Sequence, residues 1–228
     1  MSLQNILEEL KKNGKPEKVA GMARFGIRTE HVLGTGIPLL RNLAKKYKKN
    51  HELALQLWQT GIHEARILAA FIDDPGKVTE KQMEEWVNDF TAWDICDQCC
   101  GNLFDKTVFA YDKASKWAVS DKEFVKRAGF SLMAQLAVHD KKAETEKFIP
   151  FLFFIETQAW DDRNFVKKAA NWALREIGKR NMTLWERSVK TAEKLLNQPH
   201  TSSRWIARDA LKELRSEKVI EKIKMKCP

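Results

Sequence analysis

Trp93-Asp94-Ile95-Cys96-Asp97 sets an indole and a carboxylate four residues apart, and on a helix residues at that spacing share one face. A carboxylate beside an indole on an otherwise apolar helix is costly unless something pairs with it. Two readings stand for Asp97: a buried ion pair with one of the chain's many lysines and arginines, or an acid kept for function. Asp94 has a simpler duty. With Thr91 as N-cap it takes the third helical position, where a carboxylate satisfies a free amide and the helix dipole. Arg127 lies on a helix expected over 121–138, with small Ser131 and Ala134 beside it at helical spacing. A guanidinium over small side chains can reach outward to clamp a phosphate, or pair with Asp97.

A third cluster lies in 164–179. At ~100° per residue this stretch reads as a helix, with Phe165, Val166, Ala169, Ala170, Ala173, Leu174 and Ile177 in one apolar arc. Lys168, Arg175 and Lys179 form a narrow cationic line just beyond the arc, and Trp172 falls at the seam. An indole beside cations suits a phosphate-bearing partner with flat bases. It also suits ordinary core at the edge of the arc.

The elements that must position these residues read as helix after helix, an all-α chain. Helices are expected at about 2–12, 16–26, 37–48, 51–60, 63–73, 79–90, 92–103, 106–118, 121–138, 144–154, 162–179, 183–196, 202–214 and 216–225. Thr79-x-x-Gln82, Thr91-x-x-Asp94, Ser120-x-x-Glu123 and Thr183-x-x-Glu186 have the form of capping boxes, with a hydroxyl at the N-cap and a side-chain acceptor three residues on. No Gly/Ser-rich linker interrupts the chain, so residues 1–228 are expected to form one domain. A weak repeat is visible: Phe124-Val125-Lys126-Arg127-Ala128 resembles Phe165-Val166-Lys167-Lys168-Ala169 and, more faintly, Trp205-Ile206-Ala207-Arg208-Asp209. The offsets of about 40 residues match stacked antiparallel helix pairs of the HEAT type. Such pairs build a curved solenoid. The cation repeated at Arg127, Lys168 and Arg208 then predicts a basic concave groove suited to a duplex backbone. The plainer reading is lysine and arginine reused for solubility.

Composition bounds the partners. Net charge is +9 with pI ≈ 9.3, and the excess is spread through helical segments rather than a tail, which favours a folded basic surface and an anionic partner. No run approaches the ~20 apolar residues of a membrane span, and the first residues lack the pattern of a secretory signal. Cys96, Cys99 and Cys100 crowd one expected helix, poor geometry for a disulfide framework, and Cys227 stands apart. A reducing compartment follows as the expectation. The missing second ligand pair argues against zinc and for buried helical cysteine.

Trp93-Asp94-x-x-Asp97, Phe124-x-x-Arg127-Ala128 and Asn171-Trp172-x-Leu174-Arg175-Glu176 together resemble, in order and spacing, the DNA alkylation repair enzymes of the AlkD type, HEAT-like alkylpurine DNA glycosylases. The resemblance runs from Met22-Ala23-Arg24-Phe25 to about Leu214. It implies excision of cationic N3- or N7-alkylated purines from double-stranded DNA by hydrolysis of the N-glycosidic bond, without metal or other cofactor, by a cytoplasmic monomer. It puts Asp97 at the catalytic carboxylate and Trp93 and Trp172 at tryptophans that bracket the sugar and phosphate of a lesion left largely in the duplex. It puts Arg127 at a DNA-contacting arginine. Phe25, Lys168, Arg175 and Lys179 complete the expected DNA-binding set, and Asp97, Trp93 and Trp172 are expected to meet in a positively charged trough. Phe25 departs from the tyrosine of the family pattern: the ring is kept and the hydroxyl is lost. The competing expectation is a HEAT-repeat nucleic-acid-binding protein without catalysis. A protein–protein scaffold is a third, and it predicts an apolar or mixed concave face.

Overall fold

The computed structural model describes residues 3–27 and 30–226, which leaves Cys227 outside the described residues. Among the described residues there are fourteen α-helices, two short 3-10 turns and no strand. No helix among them is long and apolar enough to cross a membrane. The chain divides into two compact units, residues 1–107 and 108–228.

The first unit runs α1 (Leu3–Lys12), α2 (Pro16–Arg24), α3 (Ile37–Tyr47), α4 (His51–Gln59), α5 (His63–Ile72), α6 (Glu80–Asn88) and α7 (Trp93–Asn102). α5 is apolar on nearly every side. It is flanked by α3, α4 and α7, and that burial is what an all-round hydrophobic helix requires. Outside it, Trp58 of α4 stacks on Trp86 of α6 with centroids 3.9 Å apart and planes 4° from parallel. Two polar residues at the start of α5 order the rest. Buried Glu64 accepts from the amides of Leu33, Gly34 (2.6 Å) and Thr35 (3.1 Å). That turn needs Gly34, whose φ is +80° and whose missing Cβ leaves room for the Lys15 carbonyl.

The second unit runs α8 (Ala110–Trp117), α9 (Glu123–His139), α10 (Ile149–Gln158), α11 (Asn164–Gly178), α12 (Met182–Leu196), α13 (Thr201–Leu214) and α14 (Glu217–Lys226). α9, α11 and α13 pack side by side as one layer, with α8, α10 and α12 as a second. The three similar sequence segments thus open three neighbouring helices. α8 and α9 come close because residue 129 is glycine: a Cβ there would lie 2.4 Å from the Ala118 amide nitrogen.

The capping pattern holds in one place of four. Thr79 accepts from the Gln82 amide (3.1 Å), but the Gln82 side chain donates to Asp73 (2.7 Å) rather than back to the cap. Asn181 displaces Thr183 as a cap, accepting from Leu184 (2.9 Å), in line with the stronger capping of asparagine. Ser120 accepts from Lys122 (3.2 Å) in a tight turn, so α9 begins after it, at Glu123. α7 begins at Trp93, behind Ala92 and not Thr91, because Asp94 has another partner.

Candidate nucleic-acid interface

That partner is His63, the residue before Glu64. Its Nε2 lies 2.8 Å from Asp94 Oδ2, and both side chains are largely buried. Asp94 Oδ1 also accepts from the Ile95 amide (3.0 Å), which fixes the first turn of α7. The face of α7 carrying Ile95, Cys96, Cys99 and Cys100 is buried, while Trp93 and Asp97 are half-buried on the other. Trp93 Nε1 donates to the Phe25 carbonyl (3.1 Å), and the Phe25 ring is 69% exposed. The first unit therefore brings Phe25 and Trp93 together, with Asp97 one turn along α7. The three cysteines are buried, and burial pushes the Cys99 and Cys100 thiols well up. Cys99 and Cys100 are thus far from the thiolate that reactivity needs, and all three cysteines serve as apolar packing.

The remaining expected site residues lie in the second unit. Arg127 is buried, and its Nη1 donates to the Phe165 carbonyl at the start of α11 (2.7 Å). The small residues around it allow α11 to approach, and the guanidinium turns onto α11 rather than outward. Lys168 is exposed and Trp172 half-buried on α11. Arg175 and Lys179 are engaged elsewhere. Arg175 Nη1 pairs with Glu213 of α13, and its Nε donates to Asn171 (3.1 Å). Lys179 Nζ lies 2.6 Å from Glu213 and 2.7 Å from Glu176. Burial alone would raise the Glu213 carboxyl, but hydrogen bonds from Lys179 and Arg175 hold it below the usual carboxylate range. The cationic line read from sequence is thus one exposed lysine followed by two cations held by acids. Glu213, His63 and Glu64 were not singled out from sequence. The signal for the last two is a pair of polar residues opening an otherwise apolar helix.

The start of the same layer is built differently. Buried Lys126 lies 3.1 Å from Asp161, which also binds Arg163, and Arg163 Nη1 reaches the Asp121 carbonyl (2.7 Å). Ser202 and Ser203 donate to the Ala159 carbonyl (2.7 and 3.1 Å). These bonds tie the beginnings of α9, α11 and α13 into one edge.

Paired helices packed in two layers with a repeat near 40 residues define a HEAT-like helical-repeat protein. A solved structure from a family related to the HEAT-like repeat DNA glycosylases, with affinity for branched DNA structures, superposes with TM-score 0.77 at 23% identity. The match covers 93% of this chain and 95% of that one. The chain belongs to the DNA alkylation repair enzyme family, whose model matches residues 6–214. Two further solved structures are an engineered protein (TM-score 0.41, 13% identity, 77% of this chain and 90% of that one) and a designed armadillo repeat protein (TM-score 0.38, 16% identity, 77% and 92%). No curated protein matches.

Proposed function

We propose that this protein is a DNA glycosylase that releases cationic N3- or N7-alkylated purines from double-stranded DNA. The observation that carries the reading is the division of labour on α7. Asp94 is committed to His63 and to the helix's own amide, and it fixes the turn from which Trp93 and Asp97 project together.

Alkylation at N3 or N7 makes the purine a cation and a good leaving group, so no strong general acid is needed. The sugar becomes oxocarbenium-like as the bond breaks, and a fixed carboxylate stabilises that charge and orients the incoming water. A unit charge at ~4 Å with an effective dielectric of ~20 is worth ~4 kcal/mol, roughly a thousandfold in rate. That suffices for a base already prone to leave, and not for an undamaged one. Asp97 takes this role. Trp93, held at its indole nitrogen by the Phe25 carbonyl, offers its ring to the sugar and to positive charge. Trp172 and Lys168 are then the second unit's DNA contacts, while buried Arg127 holds the start of α11 through the Phe165 carbonyl. Arg175 and Lys179 join them only where a phosphate displaces Glu213.

Release of 7-methylguanine from methylated duplex DNA tests this. Asp97→Asn is expected to lower release about a thousandfold with duplex affinity within twofold of wild type. Unchanged release would remove Asp97 from the mechanism.

A second reading, a branched-DNA-binding protein without catalysis, is favoured by the neutralised Arg175–Lys179 pair and the missing hydroxyl at Phe25. It requires wild type to bind branched DNA and release no base.

A further inference from the structure

Two exposed indoles flank the start of the α9–α11–α13 layer, and nothing in the mechanism above uses them. Trp160, just ahead of α11, is 49% exposed, and Trp205 on α13 is 38% exposed. Each has a lysine over its ring: Lys126 Nζ lies 4.7 Å from the Trp160 centroid and Lys167 Nζ 5.5 Å from that of Trp205. The two lysines occupy the same place in successive repeats, 41 residues apart. On the same two helix starts, the half-buried ring of Phe165 meets that of Phe124 at 5.6 Å.

The charge of this edge points to its partner. The stretches 119–128, 160–169 and 200–208 hold eight lysines and arginines against four acids, and setting aside Asp161 with the Lys126 and Arg163 that it binds leaves six cations against three acids. Lys168 and Arg208 are exposed at equivalent repeat positions. Exposed rings cannot stack on the bases of an intact duplex, since paired bases are stacked on one another inside the helix. They do bind bases that have left the stack, at ~1–3 kcal/mol per base.

We propose that this edge binds the unpaired nucleotides of a branched or gapped DNA, with Trp160 and Trp205 stacking on bases and Lys168 and Arg208 meeting phosphates. The inference rests on the DNA-binding reading above but not on Asp97 chemistry.

Fluorescence anisotropy of the full chain with a labelled duplex, the same duplex carrying a single-stranded flap, and oligo(dT) tests it. Wild type is expected to bind the flap more tightly than the duplex. Trp205→Ala and Trp160→Leu should each weaken flap and oligo(dT) binding about 5- to 150-fold, the range of one stacked base, with duplex affinity within twofold. Trp205→Phe keeps a ring and should retain most of the affinity. Unchanged flap affinity in folded variants, or equal losses on duplex and flap, would overturn the proposal. Base release from methylated duplex, followed in the same variants, should stay at the wild-type level. Failure of wild type to release base would overturn the glycosylase reading and leave the flap preference standing.

Discussion

The two ends of the α9–α11–α13 layer carry similar charge in sequence and opposite arrangements in space. At the start, the buried acid Asp161 holds Lys126 and Arg163 in place, while Lys168, Arg208 and two indoles stay on the surface. At the far end, Glu213 lies between Arg175 and Lys179, with Glu176 and Asp209 nearby. A cation offers itself to a phosphate only to the extent that no carboxylate already satisfies it. α11 therefore changes character along its length, although Lys168, Arg175 and Lys179 form one line on its wheel.

The sharpest way to break this contrast is to remove an acid from each end. Lys126 and Asp161 are almost wholly buried, at 1% and 2% exposure. Losing one partner of such a pair strands a charge and costs ~3–5 kcal/mol. Asp161→Asn should lower Tm by roughly 6–20 °C for a chain of this size, and thermal denaturation reads it directly. Glu213→Gln removes a half-exposed acid and should cost ~1 kcal/mol or less. Equal losses at the two positions would mean that the ends are built alike.

The second effect concerns binding. Glu213→Gln leaves Arg175 and Lys179 with Glu176 and Asp209 as their remaining acids, and each phosphate newly neutralised steepens the salt dependence of duplex affinity by ~0.9 in log–log slope. Affinity at low salt should rise and the slope should steepen by up to ~2. An unchanged slope would exclude the far end of α11 from the DNA surface in any state.

What could be read from sequence follows from what is local. Helix positions came from periodicity, and the offsets of 41 and 40 residues linking Arg127, Lys168 and Arg208 identified helices that do lie side by side. The three α7 cysteines were legible as packing because the face they share is apolar. The failures are all non-local. Glu213 meets Lys179 across 34 residues and Arg175 across 38. His63 takes Asp94 across 31, and with it the capping role expected at Thr91. Small helix neighbours around Arg127 suggest a guanidinium reaching out to a phosphate or to Asp97; they also let α11 pack near enough to receive it at the Phe165 carbonyl.

The smallest predicted effect uses pH to weigh the two acids. Burial works to raise the Asp161 carboxyl, but hydrogen bonds from Arg163 and Lys126 hold it below its ordinary value, as their counterparts do for Glu213. A carboxyl held below its unfolded pKa, ~3.9 for aspartate and ~4.3 for glutamate, contributes stability that is fully present above that pKa. It is lost as pH falls through the depressed folded value. Wild type should therefore lose more Tm between pH 5 and pH 3 than Asp161→Asn does, so the gap between them narrows as acid is added. The same comparison with Glu213→Gln should show a smaller narrowing, because solvent screens a half-exposed pair. A gap that widens in acid would mean that Asp161 is destabilising when charged, and that the order at the start of the layer comes from the serine and arginine bonds to main-chain carbonyls.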